Sequence, residues 1–148
     1  GTPEPMVGAQ RVLAPDQLDE ALSGADQVVL AQSLTPGTPG MIDRRRLDLL
    51  APGAGLVNVA RGEHVFTDDL VAALDDGQLA HAGLDVTDPE PLPDDHPLWG
   101  RSNVIITPHT ANTPEMAVPL LGGRITDNVR RYAAGHELAG LVDATKGY

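Results

Sequence analysis

Three residues have side chains suited to acid–base and anion chemistry, and each stands after a short apolar run. Arg61 follows Leu56–Val59, Glu90 comes soon after Leu79–Val86, and His109 follows Val104–Ile106. A guanidinium clamps a carboxylate through two parallel N–H donors. An imidazole passes a proton to or from a reacting oxygen near neutral pH. A carboxylate beside that imidazole holds its orientation and favours its charged form. Together they are the set that hydride chemistry on a 2-oxo acid requires. Singly, each reads as something plainer: an exposed arginine, a solvated glutamate between prolines, a polar histidine in a Pro-His-Thr loop. Their agreement on one edge of a sheet is what raises the functional reading.

The elements that must position them alternate along the chain. Gly1–Gly8 reads as a loop and Arg11–Leu13 as a short strand. Asp16–Ser23 has helical spacing, with Gly24 as a stop signal. Val28–Ala31 is a buried strand, and Thr35–Gly40 a Pro/Gly loop. Asp43 caps a helix ending near Leu50, Pro52–Gly55 is a turn, and Leu56–Val59 is the next strand. Thr67 caps a helix with Asp68 and Asp69 in its first turn; it runs to Asp76 and stops at Gly77. Leu79–Val86 is a strand, Asp88–Pro97 a loop, and Val104–Ile106 a β-branched strand. Thr113 and Pro114 open the longest helix, ending near Ala134 before Gly135. Glu137–Tyr148 is less regular and is expected outside the sheet core. Short apolar strands alternating with helices predict an α/β fold, a parallel sheet covered on both faces. Ligands bind outside the carboxyl ends of such strands, where Ser33, Arg61, Glu90 and His109 all fall.

Composition narrows the function classes. The chain has 148 residues, enough for one domain, and only 3% aromatics, so its core rests on Leu, Val, Ile and Ala. A formal net charge of -11 repels phosphate backbones and anionic lipid, so nucleic acid and membrane surfaces are not expected partners. There is no cysteine, and hence no disulfide or thiolate chemistry. Neither a secretory signal nor a membrane-spanning apolar run is found, so a cytoplasmic location is the default expectation. His64, His81, His96, His109 and His136 form no HxxxH or HExxH pair, and no metal site is expected. Ser23, Ser33 and Ser102 lack the setting of an activated nucleophile. Asp94-Asp95-His96 reads as a solvated loop, Arg44-Arg45-Arg46 as an exposed helix face, and Asp75-Asp76 as a helix end without evident function.

Four segments resemble signature stretches of the D-isomer-specific 2-hydroxyacid dehydrogenases. They are Leu34-Thr35-Pro36-Gly37-Thr38 leading to Gly40-Met41-Ile42-Asp43; Leu56-Val57-Asn58-Val59-Ala60-Arg61-Gly62; Ala82-Gly83-Leu84-Asp85-Val86 with Glu90-Pro91-Leu92-Pro93 and His96-Pro97-Leu98-Trp99; and Asn103-Val104-Ile105-Ile106-Thr107-Pro108-His109. The ending, Gly135 through Val142-Asp143 to Gly147-Tyr148, resembles the family's C-terminus. The resemblance implies that Arg61 binds the substrate carboxylate, that His109 is the acid in reduction and the base in oxidation, and that Glu90 pairs with His109. It implies that Ser33, Val59, Ala60, Arg61, Asp85, His109 and Ala111 border the cofactor, NAD or NADP with NAD favoured. Ser33 stands where the family usually has proline. A 2-oxo or 2-hydroxy acid substrate, a Rossmann-like fold and a homodimeric parent are implied as well.

One part of the pattern is absent. No strand–GxGxxG–helix unit occurs, nor the acidic residue that would hold the adenosine ribose. Gly53-Ala54-Gly55 precedes a strand instead of following one, and reads as a plain turn. The chain is therefore expected to be a fragment: residues 1–136 a partial dinucleotide-binding domain, and 137–148 a tail returning to a substrate domain. Alone it should bind cofactor weakly, since the glycine loop supplies the pyrophosphate site. The rival reading is a non-catalytic cofactor-sensing or protein-interaction module that kept the fold. The intact Arg61, Glu90 and His109 set speaks against it.

Overall fold

In the computed structural model, residues 6–143 are described. Strands β1 (Gln27–Leu30), β2 (Ala54–Asn58), β3 (Leu79–Leu84) and β4 (Val104–Ile106) form one sheet in that order, with every neighbouring pair parallel. Helix α1 (Leu18–Leu22) precedes β1, α2 (Arg44–Leu47) and α3 (Thr67–Asp75) intervene, and α4 (Pro114–Ala133) follows β4. The register sets Val28, Leu56, Ala82 and Val104 in one row and Leu30, Asn58, Leu84 and Ile106 in the next. These rows face the core, where Leu22 of α1, Leu47 of α2 and Leu70, Ala73 and Leu74 of α3 meet them. Leu47, Leu56 and Leu79 are wholly out of water, each burial contributing roughly 1.5–3 kcal/mol.

The alternate row, Val29, Val57, Gly83 and Ile105, points the other way. Val29 and Ile105 are 63% and 70% exposed. The expected cover on both faces is thus supplied on one face only by the described residues. Helix α4 does not close the second face: its Val118, Leu121, Ile125 and Val129 are exposed. Asn128 instead ties it to the segment after it, both accepting from the Ala139 amide and donating to its carbonyl.

Several local expectations hold for the stated reasons. The Asp43 carboxylate accepts from the Arg46 amide at 2.9 Å and caps α2. Thr113 caps α4, with Pro114 opening it. Gly77 and Gly135 follow α3 and α4 with φ +81° and +70°, the left-handed backbone that ends a helix.

Others are corrected. Arg11–Leu13 joins no strand; it leads into the turn Pro15–Gln17. Helix α2 ends at Leu47, not near Leu50, because the next residues tighten into i→i−3 bonds and the Gln78 amide takes the carbonyls of Leu47 and Leu50. The cap of α3 is Phe66, not Thr67, whose hydroxyl donates to the Asp88 carbonyl at 2.5 Å. Gly53 lies in a turn as expected, but Ala54 and Gly55 already belong to β2, which starts two residues early. Asp75 and Asp76 are not idle: they pair with Arg101 and Arg44 at 2.6 and 2.7 Å. The arginine run is an intramolecular clamp. Hydrogen bonds from Arg45 and Arg46 hold the Asp19 carboxyl down at about 2. Residues 144–148, with the Gly147-Tyr148 part of the resemblance, lie outside the described residues.

Candidate active site

Arg61 sits three residues beyond the end of β2, in extended backbone that opens the short turn Gly62–His64. It is exposed, and its Nη1 donates to the Ala60 carbonyl at 2.6 Å. Beneath it, Asn58 is 1% exposed; its amide nitrogen donates to the Arg61 carbonyl at 2.8 Å and its oxygen accepts from the Ala60 amide at 3.0 Å. Gly62 is buried against the backbone of the next loop. A Cβ there would lie 2.0 Å from the Thr87 carbonyl oxygen and 2.6 Å from the Asp88 nitrogen. Gly62 therefore seats the Arg61 loop directly on the segment that leads to Glu90.

The loop after β4 carries His109 with φ 54°, a left-handed backbone rare for a residue with a side chain. Asp85 supplies the restraint. Its Oδ1 accepts from the Thr107 hydroxyl at 2.5 Å and the Thr110 amide at 2.8 Å, and its Oδ2 accepts from the Ala111 amide at 2.9 Å. The His109 amide donates to the Asp85 carbonyl at 2.9 Å. Burial works to raise the Asp85 carboxyl, but the bonds from Thr107, Ala111 and Thr110, with the nearby His109, outweigh it and hold the group below the usual carboxylate range. A strained residue fixed by a buried, ionised carboxylate is the mark of a site that needs one geometry. Glu90 approaches from the loop after β3 and places its Oε1 2.8 Å from His109 Nδ1. That loop is moored by Leu92 and Leu98 in the core and by the Trp99 indole donating to the Pro93 carbonyl at 2.8 Å.

The structure places the expected residues in two separate clefts at the carboxyl edge. One, of about 380 Å³, is lined by Ser33, Val59, Ala60 and Arg61. The other, of about 360 Å³, is lined by Asp85, Glu90, His109 and Trp99. Ala111 lines neither and joins the site through its amide bond to Asp85. A third cleft, apolar and about 540 Å³, shares Gln32 and Ser33 with the first and extends to Leu13, Pro15 and Leu18. Sequence reasoning gave no role to Asn58, Gly62, Thr107 or His64. His64 is fully buried behind Arg61, and neither ring nitrogen has a well-formed hydrogen-bond partner. Burial pushes its imidazole down; backbone groups of Ser33 and Gln32 lie close enough to offset this in part. Period and spacing mark strand ends, whereas these contacts cross between loops distant in sequence.

The sheet is all-parallel, and Arg61, the His109–Glu90 pair and the clasping Asp85 all stand beyond its carboxyl edge. Residues 3–111 match the NAD-binding domain of the D-isomer specific 2-hydroxyacid dehydrogenases, and the chain belongs to that family. It is 40% identical over 149 residues to glyoxylate/hydroxypyruvate reductase A of Serratia proteamaculans, covering 99% of this chain and 46% of that protein. A D-isomer specific 2-hydroxyacid dehydrogenase from Xanthobacter autotrophicus, solved in complex with NADPH and MES, superposes with TM-score 0.87 at 40% identity, over 99% of this chain and 60% of that one. An NADPH-dependent glyoxylate/hydroxypyruvate reductase from Sinorhizobium meliloti, in complex with NADP and sulfate, gives TM-score 0.84 at 29% identity over 95% and 47%. The chain thus spans about half the length of the curated relatives it matches.

Proposed function

We propose that this chain supplies the catalytic residues of an NAD(P)H-dependent reductase of short 2-oxo acids, working reversibly on D-2-hydroxy acids. The observation that carries the reading is the His109–Glu90 contact of 2.8 Å in a loop clasped by Asp85. Glu90 engages Nδ1, which leaves His109 Nε2 to face a reacting oxygen. In reduction, His109 gives the proton from Nε2 to the carbonyl oxygen; in oxidation it takes the proton back. Glu90 supports the imidazolium in either direction. Arg61 holds the substrate carboxylate and so orients the 2-oxo carbon. The nicotinamide, when bound, supplies or accepts the hydride. The residues that would border its reactive end are Val59 and Ala60 in one cleft and Asp85 and His109 in the other, with Ala111 bonded to Asp85, and the apolar cleft sharing Ser33 would take the part that extends away. They do not include a glycine-rich pyrophosphate loop.

On this reading residues 1–136 form part of a dinucleotide-binding domain and 137–148 lead to a substrate domain, in a homodimeric parent. A glyoxylate- or hydroxypyruvate-sized substrate is favoured by the names of the relatives, and NADPH is the first cofactor to test. Among the described residues no helix is long and apolar enough to cross a membrane. The test is His109→Ala in the full-length protein, assayed with glyoxylate and NADPH. NADPH binding should persist while turnover falls by about 10²–10⁴-fold. Undiminished turnover would sink the acid–base assignment. Absence of turnover in the unmodified protein, with NADPH bound, would favour the sensing module.

A further inference from the structure

The loop after β2 has to present Arg61 in one place, yet among the described residues the guanidinium itself bonds only within that loop, to the Ala60 carbonyl. The restraint comes from below. Asn58 occupies the core-facing row between Leu30 and Leu84 and is 1% exposed. A polar amide among leucines is costly unless its donors and acceptors are engaged. Both ends are: the oxygen accepts from Ala60 N at 3.0 Å, and the nitrogen donates to Arg61 O at 2.8 Å. A leucine would suit the row better, so the row does not explain the amide. The loop does, because one side chain closes it on both sides of the Ala60–Arg61 peptide.

We infer that Asn58 is the positioning residue for Arg61: its amide locks the peptide from which the guanidinium projects, and so sets affinity for the substrate carboxylate. This rests on Arg61 being the carboxylate clamp. Asn58 touches neither substrate nor cofactor on this account; it acts through Arg61. A small displacement of a positioning group is felt strongly, since misplacement by about 1 Å costs on the order of 10²-fold in rate, and a carboxylate held by two parallel N–H donors depends on their direction in the same way.

The experiment uses the full-length protein with glyoxylate and NADPH. Asn58→Ser keeps an acceptor for Ala60 N and loses the donor to Arg61 O without burying a charge, whereas Asn58→Ala loses both. The KM for glyoxylate should rise about tenfold or more in Asn58→Ala and less in Asn58→Ser, with the KM for NADPH within about twofold. Asn58→Ala added to Arg61→Ala should raise the glyoxylate KM no further, because the two act as one unit. Where Asn58→Ala does not fold, Asn58→Ser with and without Arg61→Ala carries the comparison. A lowered melting temperature with an unchanged glyoxylate KM, or fully additive losses, would overturn the inference and leave Asn58 a packing residue. If Arg61→Ala alone leaves the glyoxylate KM unchanged, the clamp assignment itself fails, and the inference with it.

Discussion

Gly62→Ala should damage both stability and catalysis, out of proportion to one methyl group. Its Cβ would stand 2.0 and 2.1 Å from the carbonyl oxygen and carbon of Thr87, where ordinary contact begins at 3.4 Å. The obstacle is backbone and cannot swing aside like a side-chain tip. It is also pinned, since Thr87 precedes the Asp88 carbonyl that receives the Thr67 hydroxyl. One loop must therefore retreat by more than an ångström. Overpacking of this kind costs roughly 1–3 kcal/mol, or about 2–12 °C in melting temperature for a chain of this size. The retreat also widens the gap between Arg61 and the Glu90 loop. A displacement of that order costs on the order of 10²-fold in kcat/KM. The assays are a thermal melt and steady-state glyoxylate reduction with the full-length protein. A melting point within a degree of the parent and kcat/KM within twofold would refute the view that the two loops are registered through this glycine.

Two further predictions concern buried ionisable groups. Asp85→Asn should loosen the His109 loop, because an amide cannot accept all the bonds that Thr107, Thr110 and Ala111 donate; the cost is roughly 1.5–3 kcal/mol. Faster hydrogen exchange at the Thr110 and Ala111 amides checks it, and unchanged exchange would refute it. The Asp85 carboxyl is depressed in the fold, so its stabilisation is present above the ordinary value of 3.8 and is lost as pH falls through the lower folded value. The acid-side fall in melting temperature should accordingly be shallower in Asp85→Asn. His64 is depressed by burial, so the unfolded chain takes up protons first as pH drops below 6.5, and stability falls there. His64→Leu removes a buried ring whose nitrogens make no well-formed hydrogen bond; it should match or exceed the parent by about 1 kcal/mol at pH 8 and flatten the fall below 6.5. A large loss at pH 8 would show that the ring has a polar role in the fold.

Much of the architecture is legible in the sequence because local signals agree there. Val28–Ala31, Leu56–Val59 and Val104–Ile106 are short apolar-rich runs between turn residues, and each holds a strand of the sheet, with β1 ending at Leu30 and β2 at Asn58, one residue sooner than expected. Asp43 and Thr113 cap helices because a short oxygen-bearing side chain before a helical stretch has nearby free amides to bond. Arg61, Glu90 and His109 could be set on one edge because parallel strands send their carboxyl ends the same way. Thr67 shows the limit. It has the chemistry of a cap, but Asp88, 21 residues away, offers its hydroxyl a carbonyl that the sequence does not reveal.

The sequence by itself therefore determined where the four strands lie along the chain, their common direction and the residues standing after them, because period, caps and stops are local properties. Only the tertiary structure decided how those ends are held: Asn58 closing the Arg61 loop, Gly62 seating it on Thr87, and Asp85 using both oxygens to keep His109 in a left-handed backbone. It also decided that His64 is buried and that one face of the sheet is left open by the described residues. Those outcomes depend on contacts between segments far apart in the chain, and their partners become neighbours only once the sheet has formed.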